Sequence, residues 1–214
     1  AASDVYKRQV HRELLRRPGK LYVLASHFHP DHFNKEVLQW REQRPDIIYI
    51  FSKDILRHRR AQKEDAVWLK KGEEYKDETL SVRAFGSTDV GVSFLLQAGG
   101  KKIFHAGDLN NWHWMDESTE AEWKGAEKNF LHELDDLYAY TPEVDVAMFP
   151  VDPRLGKEYM RGAGQFVTKI KTHIFVPMHF TPEYAKANAF RDFAEAHGVR
   201  FVSLTHRGQK IEIE

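Results

Sequence analysis

Six consecutive residues, His27-Phe28-His29-Pro30-Asp31-His32, carry three imidazoles and a carboxylate. A helix returns to one face every third or fourth residue and a strand every second, so no regular element presents all four together. A loop at the carboxyl end of a strand can converge them on one point, which is where α/β folds place their sites. Imidazole and carboxylate together suit zinc, iron or manganese. The chain has twelve histidines and no cysteine, so a transition metal here is held without thiolate. Disulfides and a cysteine nucleophile are excluded on the same count. The competing explanation is a chance cluster of surface histidines; the apolar run directly before the cluster favours a metal site.

That run, Leu21–Ala25, reads as the strand that delivers the cluster. Asn34–Arg44 reads as a helix, capped by Asn34 and stopped by Pro45. Asp46–Phe51, rich in β-branched and aromatic residues, reads as a second buried strand. The charged stretch Lys53–Asp65 is expected as a solvated helix or loop. Thr79–Phe85 and Gly91–Gln97 are strand-like, and Gly99-Gly100 signals a hairpin into Lys102–Ala106. A long amphipathic helix is expected from about Thr119 to Tyr138, with a capping box at Ser118 or Thr119 and Glu122. Beyond it, strands at Val144–Phe149, Ile174–Met178 and Val199–Leu204 alternate with helices near Glu158–Lys171 and Glu183–His197. This order predicts a layered α/β domain with a mixed sheet or two sheets.

The His-x-His-x-Asp-His pattern resembles the metallo-β-lactamase-fold hydrolase superfamily, and the likeness continues in order along the chain. Phe104-His105-Ala106-Gly107-Asp108 is similar to the segment carrying that family's bridging aspartate. Val176-Pro177-Met178-His179-Phe180 is similar to the one carrying its last histidine. Flanks agree over about Leu21 to Leu204, with the lactonase-like metal-dependent hydrolases as the most similar branch. The resemblance implies a four-layer αββα sandwich of the α/β (α+β) class. It implies that His27 and His29 hold a first metal, that Asp31, His32 and His179 hold a second, and that Asp108 bridges them. The implied cofactor is Zn2+, one or two ions, with Mn2+ or Fe2+ as alternatives. The implied chemistry is hydrolysis of a small ester, lactone or phosphate-containing substrate by a metal-bound hydroxide, with Asp31 and Asp108 as catalytic carboxylates.

Two departures from the family pattern carry consequences. The third histidine of the first site is missing after Ser81–Phe85, and Gly86 stands where that ligand is expected. Asp89, Thr88 or Ser87 is the expected oxygen substitute, Asp89 before the others; a mononuclear site or a ligand from His113 is the alternative. Only 26 residues precede His27, where the family has several strands. Residues 1–9 read as a non-native scar at the start of an N-terminally truncated single domain, 10–214, which predicts an exposed sheet edge and poor solubility. The competing reading is a natural polar helix running into Val10–Arg17.

Other residues fit a substrate pocket. Trp112 and His113 follow Asp108 closely, and Arg154 and Tyr159 sit after a strand on the same expected face. Arginine suits a carboxylate or phosphate group, although an ion pair with Asp152 or Glu158 is the commoner role. His105 is expected behind the ligands or as a core histidine.

Composition narrows the partners. Thirty-two Lys and Arg balance thirty-two Asp and Glu, and 42% hydrophobic residues are typical of a folded chain. Neither nucleic acid nor an anionic membrane is an expected partner, because both demand a basic excess. A nuclease of the same superfamily is therefore the weaker alternative, beside a metal-binding relative without turnover. No apolar run approaches a bilayer span and none resembles a signal sequence, so a small-molecule substrate and a cytoplasmic setting are expected. The oligomeric state is not readable.

Overall fold

The computed structural model describes residues 12–180 and 182–211. The expected scar at residues 1–9 lies outside them. Two sheets form the centre. The first has three parallel strands in the order β1-β2-β3: β1 Tyr22–Ala25, β2 Ile48–Ser52 and β3 Val67–Leu69. The second has seven strands, in the order β10-β9-β8-β7-β6-β5-β4. They are β4 Glu74–Lys76, β5 Ser81–Phe85, β6 Ser93–Ala98, β7 Lys101–His105, β8 Glu143–Pro150, β9 Lys171–Met178 and β10 Arg200–Phe201. The β4 to β7 half is antiparallel and the β7 to β10 half parallel. The turn at Gly99-Gly100 has φ of 56° and 76°, the left-handed pair that a two-residue hairpin needs.

Apolar side chains from both sheets meet between them, with Ile50, Leu69, Val82 and Phe94 at the centre. The outer face of the small sheet packs Phe51 and Tyr49 against 3-10 turns at Arg12–Arg16 and Lys35–Glu42 and against helix α1, Lys53–Arg57. The outer face of the large sheet packs Phe104, Phe149 and Phe175 against α2 Glu120–Tyr140, α3 Arg161–Lys169 and the later helices α4 Tyr184–Asn188 and α5 Arg191–Ala196. The result is the αββα sandwich. Burying Phe130, Leu134 and Leu137 completely along one face of α2 contributes roughly 1.5–3 kcal/mol each. Thr119 and Glu122 close the expected capping box at its start.

Three local expectations change. The segment after Asn34 winds as a 3-10 helix, although Asn34 caps it through the Glu36 N–H as expected. Glu183–His197 divides into α4 and α5 where Phe190 is drawn into the core against Phe175 and Phe201. The strand expected at Val199–Leu204 is confined to Arg200–Phe201, while Val67–Leu69 and Glu74–Lys76, which carry no expectation from sequence, are strands too short to show a periodicity. No helix among the described residues is long and apolar enough to cross a membrane.

Candidate metal centre

The carboxyl ends of β1, β7, β8 and β9 and the β5–β6 connection all arrive at one edge of the sandwich. The loop after β1 is pinned from several sides. Its Phe28 N–H donates to Asp54 on α1 at 3.0 Å, and a tight turn joins the N–H groups of His32 and Phe33 to the His29 carbonyl. The β5–β6 connection is stapled onto it by the Val92 N–H on the Ser26 carbonyl at 3.0 Å. Gly91 makes that approach feasible: its φ is 76°, and a Cβ there would stand 2.1 Å from the Ser26 carbonyl oxygen.

The convergent side chains form two groups, His27, His29 and Asp108, and Asp31, His32 and His179; within each, the nearest ligand atoms all lie within 4.8 Å of one another. Asp108 stands between the groups. Its Oδ2 is 3.2 Å from His27 Nε2, and its Oδ1 is 3.1 Å from His32 Nε2 and 3.3 Å from His179 Nε2. Asp31 Oδ2 lies 3.7 Å from His32 Nε2. His179 adopts φ of 62°, a left-handed conformation costing a non-glycine residue about 1–2 kcal/mol, directly at the end of β9.

The residues fit divalent ions on a criterion internal to the protein. His27 Nε2, His32 Nε2 and Asp108 Oδ1 are buried and make no well-directed hydrogen bond. Buried polar atoms are normally satisfied, so three orphans facing one another are the signature of a ligand set. The charges are arranged accordingly. Burial raises the Asp108 carboxyl, but contacts from His179, His27 and His32 overcome that and hold it far below the usual carboxylate range. Burial lowers His32 to about 4, so its ring is neutral at neutral pH. Burial also acts against the charged form of His179, but Asp108 and Asp152 outweigh it and raise the ring to about 9.

Orienting contacts lie behind the ligands. Ser26 Oγ is 3.1 Å from His27 Nδ1, and Asp152, wholly buried, places Oδ2 2.8 Å from His179 Nδ1. Such carboxylate–imidazole contacts fix the ring that faces a metal. Ser26 carries no sequence signal; Asp152 does, as an acidic residue directly after an apolar strand.

The pocket residues expected from sequence separate. Trp112 stays beside the cluster: its ring meets His179 edge-on at 5.5 Å, and its Nε1 donates to the Asp108 carbonyl at 2.8 Å. Arg154 lies 3.4 Å from His179 Nδ1 and pairs with Asp152. His113 does not join the cluster. It is buried, and its ring nitrogens engage the Glu158 carbonyl and the Met115 N–H. Tyr159 packs on the helical side of the core and donates to the Lys186 carbonyl. His105 is half-buried, accepts from the Gly107 N–H and lines a 610 Å³ cavity that reaches Asp31, His32 and His179.

The candidates for the first-site gap are placed differently from one another. A side chain at Gly86 would point at α2, where Glu133 Oε2 lies 2.0 Å from the ideal Cβ position. Thr88 is committed elsewhere, donating to the Asn110 carbonyl at 2.5 Å and accepting from the Asn110 N–H. Ser87 Oγ accepts the Asp89 N–H. Asp89 alone of these faces the first group, its Oδ2 3.8 Å from His29 Nδ1.

The profile of the beta-lactamase superfamily domain matches residues 6–180, and the chain belongs to that superfamily. Its fold is that of known metallo-hydrolases. It superposes on Igni18, a metallo hydrolase from the archaeon Ignicoccus hospitalis, at 17% identity and a TM-score of 0.64, covering 95% of this chain and 84% of that one. YhfI of Bacillus subtilis, a metallo-beta-lactamase fold protein, aligns at 13% identity and a TM-score of 0.57 over 88% and 76% of the two chains. CmlA, a diiron beta-hydroxylase from Streptomyces venezuelae, aligns at 14% identity and a TM-score of 0.57, covering 88% of this chain and 44% of that one. A comparison with curated protein sequences finds no match.

Proposed function

We propose that the chain is a metal-dependent hydrolase of a small-molecule ester, lactone or phosphate compound, with zinc as the metal. One observation carries this reading: the two oxygens of Asp108 divide between His27 on one side and His32 and His179 on the other. A carboxylate so placed suits two adjacent cations. His27, His29 and Asp89 would hold the first ion, Asp31, His32 and His179 the second, and Asp108 both. Divalent ions bound there would acidify a water and polarise the scissile bond.

The chain's own groups supply the rest. Asp31, partly exposed and 3.7 Å from His32 Nε2, would accept a proton at its carboxylate from the attacking water and return it to the leaving group. Asp152 holds the His179 ring so that Nε2 faces Asp108. Trp112 covers one side of His179 and restricts water there. The even charge balance weighs against a nucleic-acid substrate.

Metal analysis combined with turnover on an ester, a lactone and a phosphodiester tests the reading. Two ions per chain and turnover abolished in Asp108→Ala are expected. Less than one ion per chain with no turnover on any of the three would overturn it in favour of a metal-binding relative without activity.

A further inference from the structure

Arg154 is held in a way that an ordinary ion pair does not require. Its Nε lies 3.0 Å from each oxygen of Asp152, its Nη2 reaches Oδ2 at 2.5 Å, and its own backbone N–H donates to Oδ1 at 3.0 Å. Asp152 is completely buried and also contacts His179 Nδ1, so its acceptor capacity is largely taken before Nη1 is considered. The guanidinium is therefore gripped side-on through Nε and Nη2. Nη1, with two N–H donors, makes no hydrogen bond to another described residue, and the side chain is 52% exposed. The gripped Nη2 also lies 3.4 Å from His179 Nδ1, so the guanidinium stands beside the second ligand group.

We infer that Arg154 is a fixed clamp for an oxyanion of the substrate, a carboxylate or phosphate group close to the bond being hydrolysed, with Asp152 as the residue that positions it. This rests on the hydrolytic reading of the metal centre. Three features support it. The cation is oriented in advance, so little side-chain entropy is lost on binding. The cation is within electrostatic reach of Asp108 and Asp31, which puts it at the same edge as both ligand groups. One buried carboxylate also sets both the metal-facing ring and the clamp, which fixes their separation.

Calorimetric titration of the metal-depleted 214-residue chain with inorganic phosphate and with succinate tests the clamp apart from turnover. In Arg154→Ala, affinity for the oxyanion recognised is expected to fall about tenfold, and in Arg154→Lys by a smaller factor, because an ammonium cannot present a fork. Which of the two anions shows the loss identifies the group. Zinc content per chain and circular dichroism should match wild type in both variants. With zinc restored, the ratio of kcat/KM for 4-nitrophenyl hemisuccinate over the neutral 4-nitrophenyl butyrate should fall about tenfold in Arg154→Ala, chiefly through KM, if the clamp takes carboxylate. Affinities in wild type and Arg154→Ala that agree within twofold for both anions, or no binding of either to wild type at millimolar concentration, would overturn the clamp. Failure of wild type to cleave these esters, a lactone and a phosphodiester, with the loss of anion affinity present, would instead sink the hydrolytic reading and leave the clamp standing.

Discussion

Asp89 Oδ2 stands 3.8 Å from His29 Nδ1, across the opening of the first ligand group. The loop that carries it is tied down on both flanks, by Thr88 to Asn110 and by Val92 to Ser26. The carboxylate comes from the same β5–β6 connection in which the resemblance leads one to expect a third histidine. Asp89→Ala is expected to lower first-site metal affinity about 10–100-fold, while Asp89→His retains two ions per chain and shifts preference toward zinc. Chelator competition with metal analysis reads both. Unchanged affinity in Asp89→Ala would remove Asp89 from the ligand set.

Gly86→His tests where that ligand belongs. A side chain at 86 runs into Glu133, whose carboxylate is also paired with Lys71 at 2.7 Å. The variant should lose roughly 1–3 kcal/mol of stability and gain no metal. Gly86→His combined with Glu133→Ala should recover part of the loss. A rise in bound metal in the single variant would contradict the placement.

Gly91→Ala should be more damaging. The left-handed φ costs a β-carbon about 1 kcal/mol, and its close approach to Ser26 and His27 adds a clash that only backbone movement relieves. Denaturant unfolding should show a loss of at least about 2 kcal/mol. Gly99→Ala, with φ of 56° and open space around it, should show only the backbone cost.

The pH dependence of metal binding follows from His179. Held at about 9 by Asp108 and Asp152, it is protonated at neutral pH and must release that proton to bind an ion. Apparent affinity at the second site should rise about tenfold per pH unit from about pH 7 and level off near 9. The metal-depleted fold should respond in the opposite sense. The His179 contribution to stability is complete below the ordinary histidine value of 6.5 and is lost as pH rises through about 9. Isothermal titrations and melting curves across this range check both. A flat affinity profile would show that the ring is not a ligand.

Asp152→Asn should weaken the second site without abolishing folding. The variant keeps an oxygen for the His179 ring but loses the charge that favours its orientation. Metal affinity is expected to fall about 10–100-fold, measured by chelator competition.

Much of this was legible in the chain. The spacing of His27, His29, Asp31 and His32 needs a loop at a strand end, and the apolar run before it predicts that strand. The hairpin at Gly99-Gly100 and the capped helix from Thr119 follow from local chemistry, because turn conformation and end-capping are decided within a few residues. The order of the motifs carried the family and the fold.

Other features depend on contacts between segments far apart in sequence. That a side chain at Gly86 would face α2 is set by Glu133, some fifty residues away, and no local pattern reports it. Asp89 meets His29, and Asp152 meets both His179 and Arg154, only because separate strand ends are packed onto one edge. His113 looked like a ligand by proximity to Asp108 in the chain, yet its loop turns the ring into the Glu158 backbone. The sequence by itself determined the ligand types and the elements that carry them, because periodicity and turn chemistry are local. The tertiary structure decided which oxygen and nitrogen atoms face each other, because that geometry is settled by packing over long separations.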